Sequence, residues 1–198
     1  PLSSERDTQQ DRKAAQIESV NTRDTNNIPY IGFQDGNNSG KASVMSYNGT
    51  QWNYLGSPGF SPGPIWGQNN LQTAEVAFIS LDLNSAGVPY VVFRHGAPDY
   101  SINVMKFDGN SWVYVGTPNF ALQGFYQHTH FTFDNNDVPY ISLQGFPNPA
   151  ASWNYSGSNH HDKILSFNGT EWVMVGTPLT VTGGHVKDIK FDTNNLLH

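Results

Sequence analysis

The chain has 198 residues, no cysteine, and a formal charge of −6 from ten Lys and Arg against 16 Asp and Glu. Without cysteine there are no disulfides, no thiol catalysis and no cysteine-ligated zinc, so packing alone must hold the fold. The shortage of basic side chains argues against nucleic acid or an anionic membrane surface as partner, since both require a positive patch, and no run is long and apolar enough to span a bilayer.

In chain order, residues 1–14 come first, with six charges between Glu5 and Lys13 and no aromatic residue. This segment reads as a solvated loop between repeats, or as an arm that docks on a neighbouring subunit. A repeat unit follows over residues 15–57, a second with its preceding loop over 58–117, a third over 118–177, and the start of a fourth over 178–198. Trp52, Trp112 and Trp172 stand 60 residues apart. The text around them recurs as Asn48-Gly49-Thr50-Gln51-Trp52, Asp108-Gly109-Asn110-Ser111-Trp112 and Asn168-Gly169-Thr170-Glu171-Trp172. Each copy runs on into a tail, Leu55-Gly56-Ser57-Pro58, Val115-Gly116-Thr117-Pro118 or Val175-Gly176-Thr177-Pro178. A second landmark is Pro29-Tyr30-Ile31, Pro89-Tyr90-Val91 and Pro139-Tyr140-Ile141, with a degraded copy at Leu196-Leu197-His198.

Within each unit the apolar residues alternate in short runs bounded by turn residues, which predicts strands and no helix beyond a turn or two. For the second unit the expected strands are residues 75–83, 89–94, 102–107 and 111–116. Val44, Tyr47, Val104, Phe107, Ile164 and Phe167 belong to third strands. The Asn-Gly and Asp-Gly pairs predict two-residue type I′ hairpins between strands three and four. Polar bends, such as Asp24-Thr25-Asn26-Asn27, join strands one and two and lead into a proline that can open a strand.

Four antiparallel strands at a fixed period are the blade pattern of a β-propeller, here of about 60 residues per blade. The tryptophan of each unit is expected between neighbouring blades, as a large filler of the gap. The repeat Pro-Tyr-[Ile/Val]-x-Phe followed by Val-Met-x-[Phe/Tyr]-[Asn/Asp]-Gly-x-x-Trp-x-x-[Val/Leu]-Gly-[Ser/Thr]-Pro resembles the tandem β-propeller repeats of large secreted and cell-surface proteins. That resemblance implies an extracellular or cell-surface location, and it carries over no catalytic residue. Pro1-Leu2-Ser3 resembles Pro178-Leu179-Thr180, and Phe191 to Leu196 repeats the bend before Pro29. The chain is therefore expected to begin and stop inside a repeat, with closure supplied by further blades or neighbouring subunits.

The links from strand two to three and from blade to blade emerge on one face, and the period is stretched there, at residues 58–74 and 144–162. The aromatic residues of these links, Phe60, Trp66, Tyr100, Phe125, Tyr126, Trp153 and Tyr155, suit sugar stacking, as do polar neighbours such as His160 and His161. His95 and His185 belong to the same side, and His128 with His130 would form a weak divalent-metal candidate. Otherwise no cofactor is expected. Asp35, Asp99 and Asp162 are the carboxylates a glycoside-processing enzyme could use there. Sequons occur at Asn37, Asn48, Asn154 and Asn168, of which Asn48 and Asn168 are already explained by the turn. The expectation is a non-catalytic scaffold or recognition module for a protein or glycan. A lectin or adhesin is the first alternative, and a glycoside-processing enzyme the second.

Overall fold

The computed structural model describes residues 20–62, 76–95, 101–120, 129–144, 160–177, 179–181, 186 and 188–198. Strands β1 (Val20–Arg23), β2 (Pro29–Asp35), β3 (Lys41–Tyr47) and β4 (Trp52–Tyr54) form the first antiparallel sheet, in chain order. The second contains β5 (Val76–Leu83), β6 (Pro89–His95), β7 (Ile102–Phe107) and β8 (Trp112–Tyr114). The third contains β9 (Thr129–Phe133), β10 (Pro139–Leu143), β11 (His160–Phe167) and β12 (Trp172–Met174), and β13 (Leu179–Val181) pairs with the start of β11. The protein is thus all-β, and its described residues form three four-stranded meanders in which the register repeats: Ile31 faces Met45, Val91 faces Met105 and Ile141 faces Leu165.

The expected third-strand residues lie in β3, β7 and β11, and in the second sheet the strand ends agree to within one residue except at the fourth strand, which covers only three residues in each sheet. It is short because the left-handed Gly56, Gly116 or Gly176 turns the chain out of the sheet one residue after the last in-register bond. The N–H groups of Leu55, Val115 and Val175 make that bond, donating to the Val44, Val104 and Ile164 carbonyls.

Simple alternation fails in the middle sheet, where Val91, Val92 and Phe93 are successive and all fully buried. The reason is packing on both faces. Val91 and Phe93 join Ala42, Val44, Ile79 and Leu81 in a core against the first sheet, while Val92 and Val104 join Phe131, Ile141 and Leu143 in a core against the third. A sheet covered on both sides needs apolar residues at both parities, as buried strands generally do.

The tight hairpins are not type I′. In that turn both central residues take positive φ, but here only the glycines do, with φ of 95°, 102° and 98° at Gly49, Gly109 and Gly169. The preceding residue acts through its side chain: Asn48 Oδ1 accepts from the Thr50 and Gln51 N–H groups, and Asp108 and Asn168 do the same in their turns. The glycine is then the first central residue, as in a type II′ turn.

The bends between first and second strands are uniform. Their last residue is left-handed in every copy, with φ of 65°, 74°, 62° and 63° at Asn27, Gly87, Asp137 and Asn195. Gly, Asn and Asp are the residues that tolerate this conformation. The degraded fourth copy follows suit: Asp192 accepts from Asn195, Lys190 and His198 exchange backbone bonds, and Phe191 bridges to Leu197.

Candidate functional site

Meander topology sends two kinds of connection to opposite edges of each sheet. The bends and Gly hairpins share one edge. The link from second to third strand and the link to the next sheet share the other.

The first sheet's link edge is built on Asp35. Its carboxylate caps the 3-10 turn Gly36–Asn38 through the Asn37 N–H, and it accepts from Asn38 Nδ2 at 2.8 Å, Ser43 Oγ at 2.8 Å and Tyr54 Oη at 3.2 Å. Burial raises its pKa, but these bonds outweigh burial and hold the carboxyl below the usual range. Ser43 Oγ in turn accepts from the Gly59 N–H, and Ser61 Oγ accepts from the Ala42 N–H, so the cluster pins the outgoing tail to β3.

The second sheet performs the same pinning with different residues. Asn103 Oδ1 accepts from the Asn119 N–H, Asn119 Oδ1 accepts from Asn103 Nδ2 and Ser101 Oγ, and His95 Nδ1 lies 3.3 Å from that same hydroxyl. The pinned residue is left-handed in both sheets, Gly59 at φ 62° and Asn119 at φ 57°. In the third sheet Asp162, fully buried, accepts from the Val186 N–H.

Between the second and third sheets the inner strands carry an unusual backbone. Phe78 has φ of 53°, where the pairing of β5 with β6 slips between Ala77 and Ser80. A bulky residue rarely adopts this conformation. The Arg94 guanidinium lies 4.6 Å from its ring centroid, and its carbonyl accepts from Thr129 Oγ1 at 2.7 Å. Nearby on β9, His130 Nδ1 lies 3.8 Å from Asp188, which Lys190 also pairs at 2.7 Å.

Several candidates named from the sequence lie outside the described residues: Trp66, Tyr100, Phe125, Tyr126, Trp153 and Tyr155, together with His128, His185, Asp99 and Asn154. His160 and His161 are in β11, facing Val181 and Thr180 of β13. Phe60 is corrected from a ligand-facing aromatic to a structural one, because its ring stacks on Trp112 at 4.2 Å and 11°. Asp35 and His95 are buried within their sheets' own hydrogen-bond networks, and Asp162 is buried beneath the Val186 N–H. Among the described residues no three His, Cys, Asp or Glu groups come together as a metal site. Asn37, Asn48 and Asn168 are exposed. The polar pins at Ser43 and Asn103 were missed in the sequence. Their signal was the left-handed tail position, Gly in one copy and Asn in the next.

The tryptophans make the joints between sheets. Trp112 Nε1 donates to the Leu55 carbonyl of the preceding sheet's tail at 2.8 Å, and Trp172 Nε1 donates to Val115 at 2.9 Å. Gly56 and Gly116 make room: a Cβ there would stand 3.0 Å from Phe107 or Phe167 and 3.3 or 3.2 Å from the indole. Trp112 and Trp172 are buried at 8% and 9% exposure and lie between sheets, but Trp52 is 40% exposed and does not.

No protein-family model matches the chain, and no curated protein matches it. Among solved structures it is similar to a fucose lectin from Kordia zhangzhouensis in complex with methyl-fucoside. The identity is 13% and the TM-score 0.47, over 81% of this chain and 99% of that one.

Proposed function

We propose that the protein is a non-catalytic recognition module of β-propeller type, extracellular or at a cell surface, whose ligand contacts the link edge. The observation that carries this reading is the contrast between the two edges. At the bend edge, Asp24, Asp134 and Asp192 cap their turns through the same side-chain oxygen, and Asn84 does so for Val88. At the link edge, equivalent positions change chemistry: Gln34 becomes Arg94 and then Gln144, and Asp35 becomes His95. A constant edge serves folding, and a varied edge on a rigid frame suits recognition. The described carboxylates there are used as structural acceptors, which favours binding over acid–base chemistry. The aromatic and amide-rich composition of the long links favours a neutral glycan as ligand.

The test is a glycan array, followed by titration of any hit against the chain with Trp66→Ala and Trp153→Ala. The expected result is a saturable hit weakened tenfold or more by either change, with the unfolding midpoint unmoved. Absence of any glycan hit removes the glycan, and release of reducing sugar from a polysaccharide panel removes the non-catalytic reading.

A further inference from the structure

The outer face of the third sheet presents one half of a joint that the molecule makes twice elsewhere. In both filled joints a tail carbonyl accepts an indole N–H over a left-handed glycine, the carbonyl residue being held by its own N–H bond to the third strand. Val175 has the same bond, to Ile164 at 2.8 Å, and Gly176 has the same conformation, with φ of 69°. Yet a Cβ on Gly176 would meet nothing within 4 Å, and Met174, Val175 and Leu179 are exposed at 47%, 37% and 41%.

The inner half of this joint is already made. Residues 188–198 sit against the third sheet as the third sheet sits against the second. The Asn135 N–H donates to Asn195 as the Ser85 N–H donates to Asp137, and Tyr140 packs on Phe191 at 4.7 Å as Tyr90 packs on Phe133 at 4.9 Å. A whole second copy of the chain cannot enter in register, because its own β1–β2 hairpin would need the place that residues 188–198 fill. What fits is an outer hairpin bearing a tryptophan.

We infer that the surface of Met174, Val175, Gly176 and Leu179 is a socket for the tryptophan-bearing outer hairpin of a further sheet of this repeat, of the kind formed by Lys41–Tyr54. The first-repeat type is indicated by the bend Asp192-Thr193-Asn194-Asn195, identical to Asp24-Thr25-Asn26-Asn27, and by Pro178-Leu179-Thr180, which matches Pro1-Leu2-Ser3. Those tails lack the phenylalanine that stacks on Trp112 and Trp172, so this joint seats its indole on the carbonyl and glycine without a ring above it. The inference rests on the propeller reading above and deepens it, but its readout is stability, not glycan binding, so either can fail alone.

The experiment lengthens the chain by placing a copy of residues 29–56 after Leu196, in place of Leu197 and His198. The unfolding midpoint is expected to rise by about 5 °C or more in one cooperative transition. That rise should be mostly lost when the added tryptophan is changed to Phe, and lost with Gly176→Ala when the lengthened chain is compared with the unlengthened chain carrying the same change, where the new Cβ meets no neighbour and only the backbone strain remains. A rise that survives both changes overturns the inference. A second version adds residues 139–177 in the same place, and added backbone left unprotected against hydrogen exchange in both versions also overturns it.

Discussion

Trp52 and Trp112 occupy the same position of the same motif, each paired across its hairpin with an aromatic residue, Tyr47 or Phe107. They differ fivefold in exposure, 40% against 8%. The difference comes from the sheet before. Trp112 receives the Leu55 carbonyl, the Phe60 ring and the space over Gly56 from the first sheet's tail. Burial of the motif tryptophan is therefore a property of neighbouring repeats, as in arrays whose stability lies in nearest-neighbour interfaces.

The comparison breaks most directly by truncation. Trp112→Ala is expected to cost about 3–5 kcal/mol, because it empties a packed site and strands the Leu55 carbonyl, whereas Trp52→Ala should stay below about 1 kcal/mol. Urea unfolding of both variants measures this, and equal losses would mean that the exposed tryptophan is covered in solution. The glycines give a smaller contrast. Gly116→Ala and Gly176→Ala share a penalty of about 1–2 kcal/mol for a left-handed Cβ, but only Gly116 has Phe167 and Trp172 against it. Gly116→Ala should thus cost about 1–3 kcal/mol more, the price of overpacking. Equal midpoints would show that the joint yields.

The four-stranded repeat was legible because local chemistry and period agree. Pro-Tyr openings, Asn-Gly and Asp-Gly turns and the 60-residue spacing of the tryptophans each fix a strand boundary without knowledge of the neighbours. What could not be read depends on other repeats. Nothing near Trp52 in the sequence says that its indole lies open, and nothing near Val91-Val92-Phe93 says that sheets cover both faces. The turn type was misjudged because Asn-Gly permits two geometries, and the carboxamide of Asn48, by capping Thr50 and Gln51, selects the one with a single positive φ. The candidate site was least legible. Its polar residues pair across 16 positions, Ser43 with Gly59 and Asn103 with Asn119, and the only mark of those pairs in the sequence is the Gly or Asn at the tail position.

The smallest effect sets two carboxylates against each other, Asp82 in β5 and Asp134 in the bend after β9. Asp134 is raised by burial but lowered further by bonds from the Val138 and Asn136 N–H groups and Asn195, so its folded pKa lies below the ordinary value. Its contribution is present above the unfolded pKa of about 3.9 and is lost as pH falls through the folded value. Asp82 has the opposite sign. Burial beneath Thr22 raises its pKa, and the bonds from the Leu83 N–H and Thr22 Oγ1 offset this only in part. The folded state then holds a proton more tightly than the unfolded chain, so ionised Asp82 costs stability at neutral pH, and that cost fades as pH falls through its raised pKa. Asp82→Asn removes the cost while keeping a side-chain acceptor, so the variant should be more stable than the parent near pH 7, with the advantage shrinking toward about pH 4. Asp134→Asn keeps a competent cap and should show no such gain, only a weaker dependence in the acid limb. Urea midpoints of the three proteins across that range decide it, and an Asp82→Asn variant whose difference from the parent does not change with pH would mean that the Asp82 carboxylate is solvated in the folded protein.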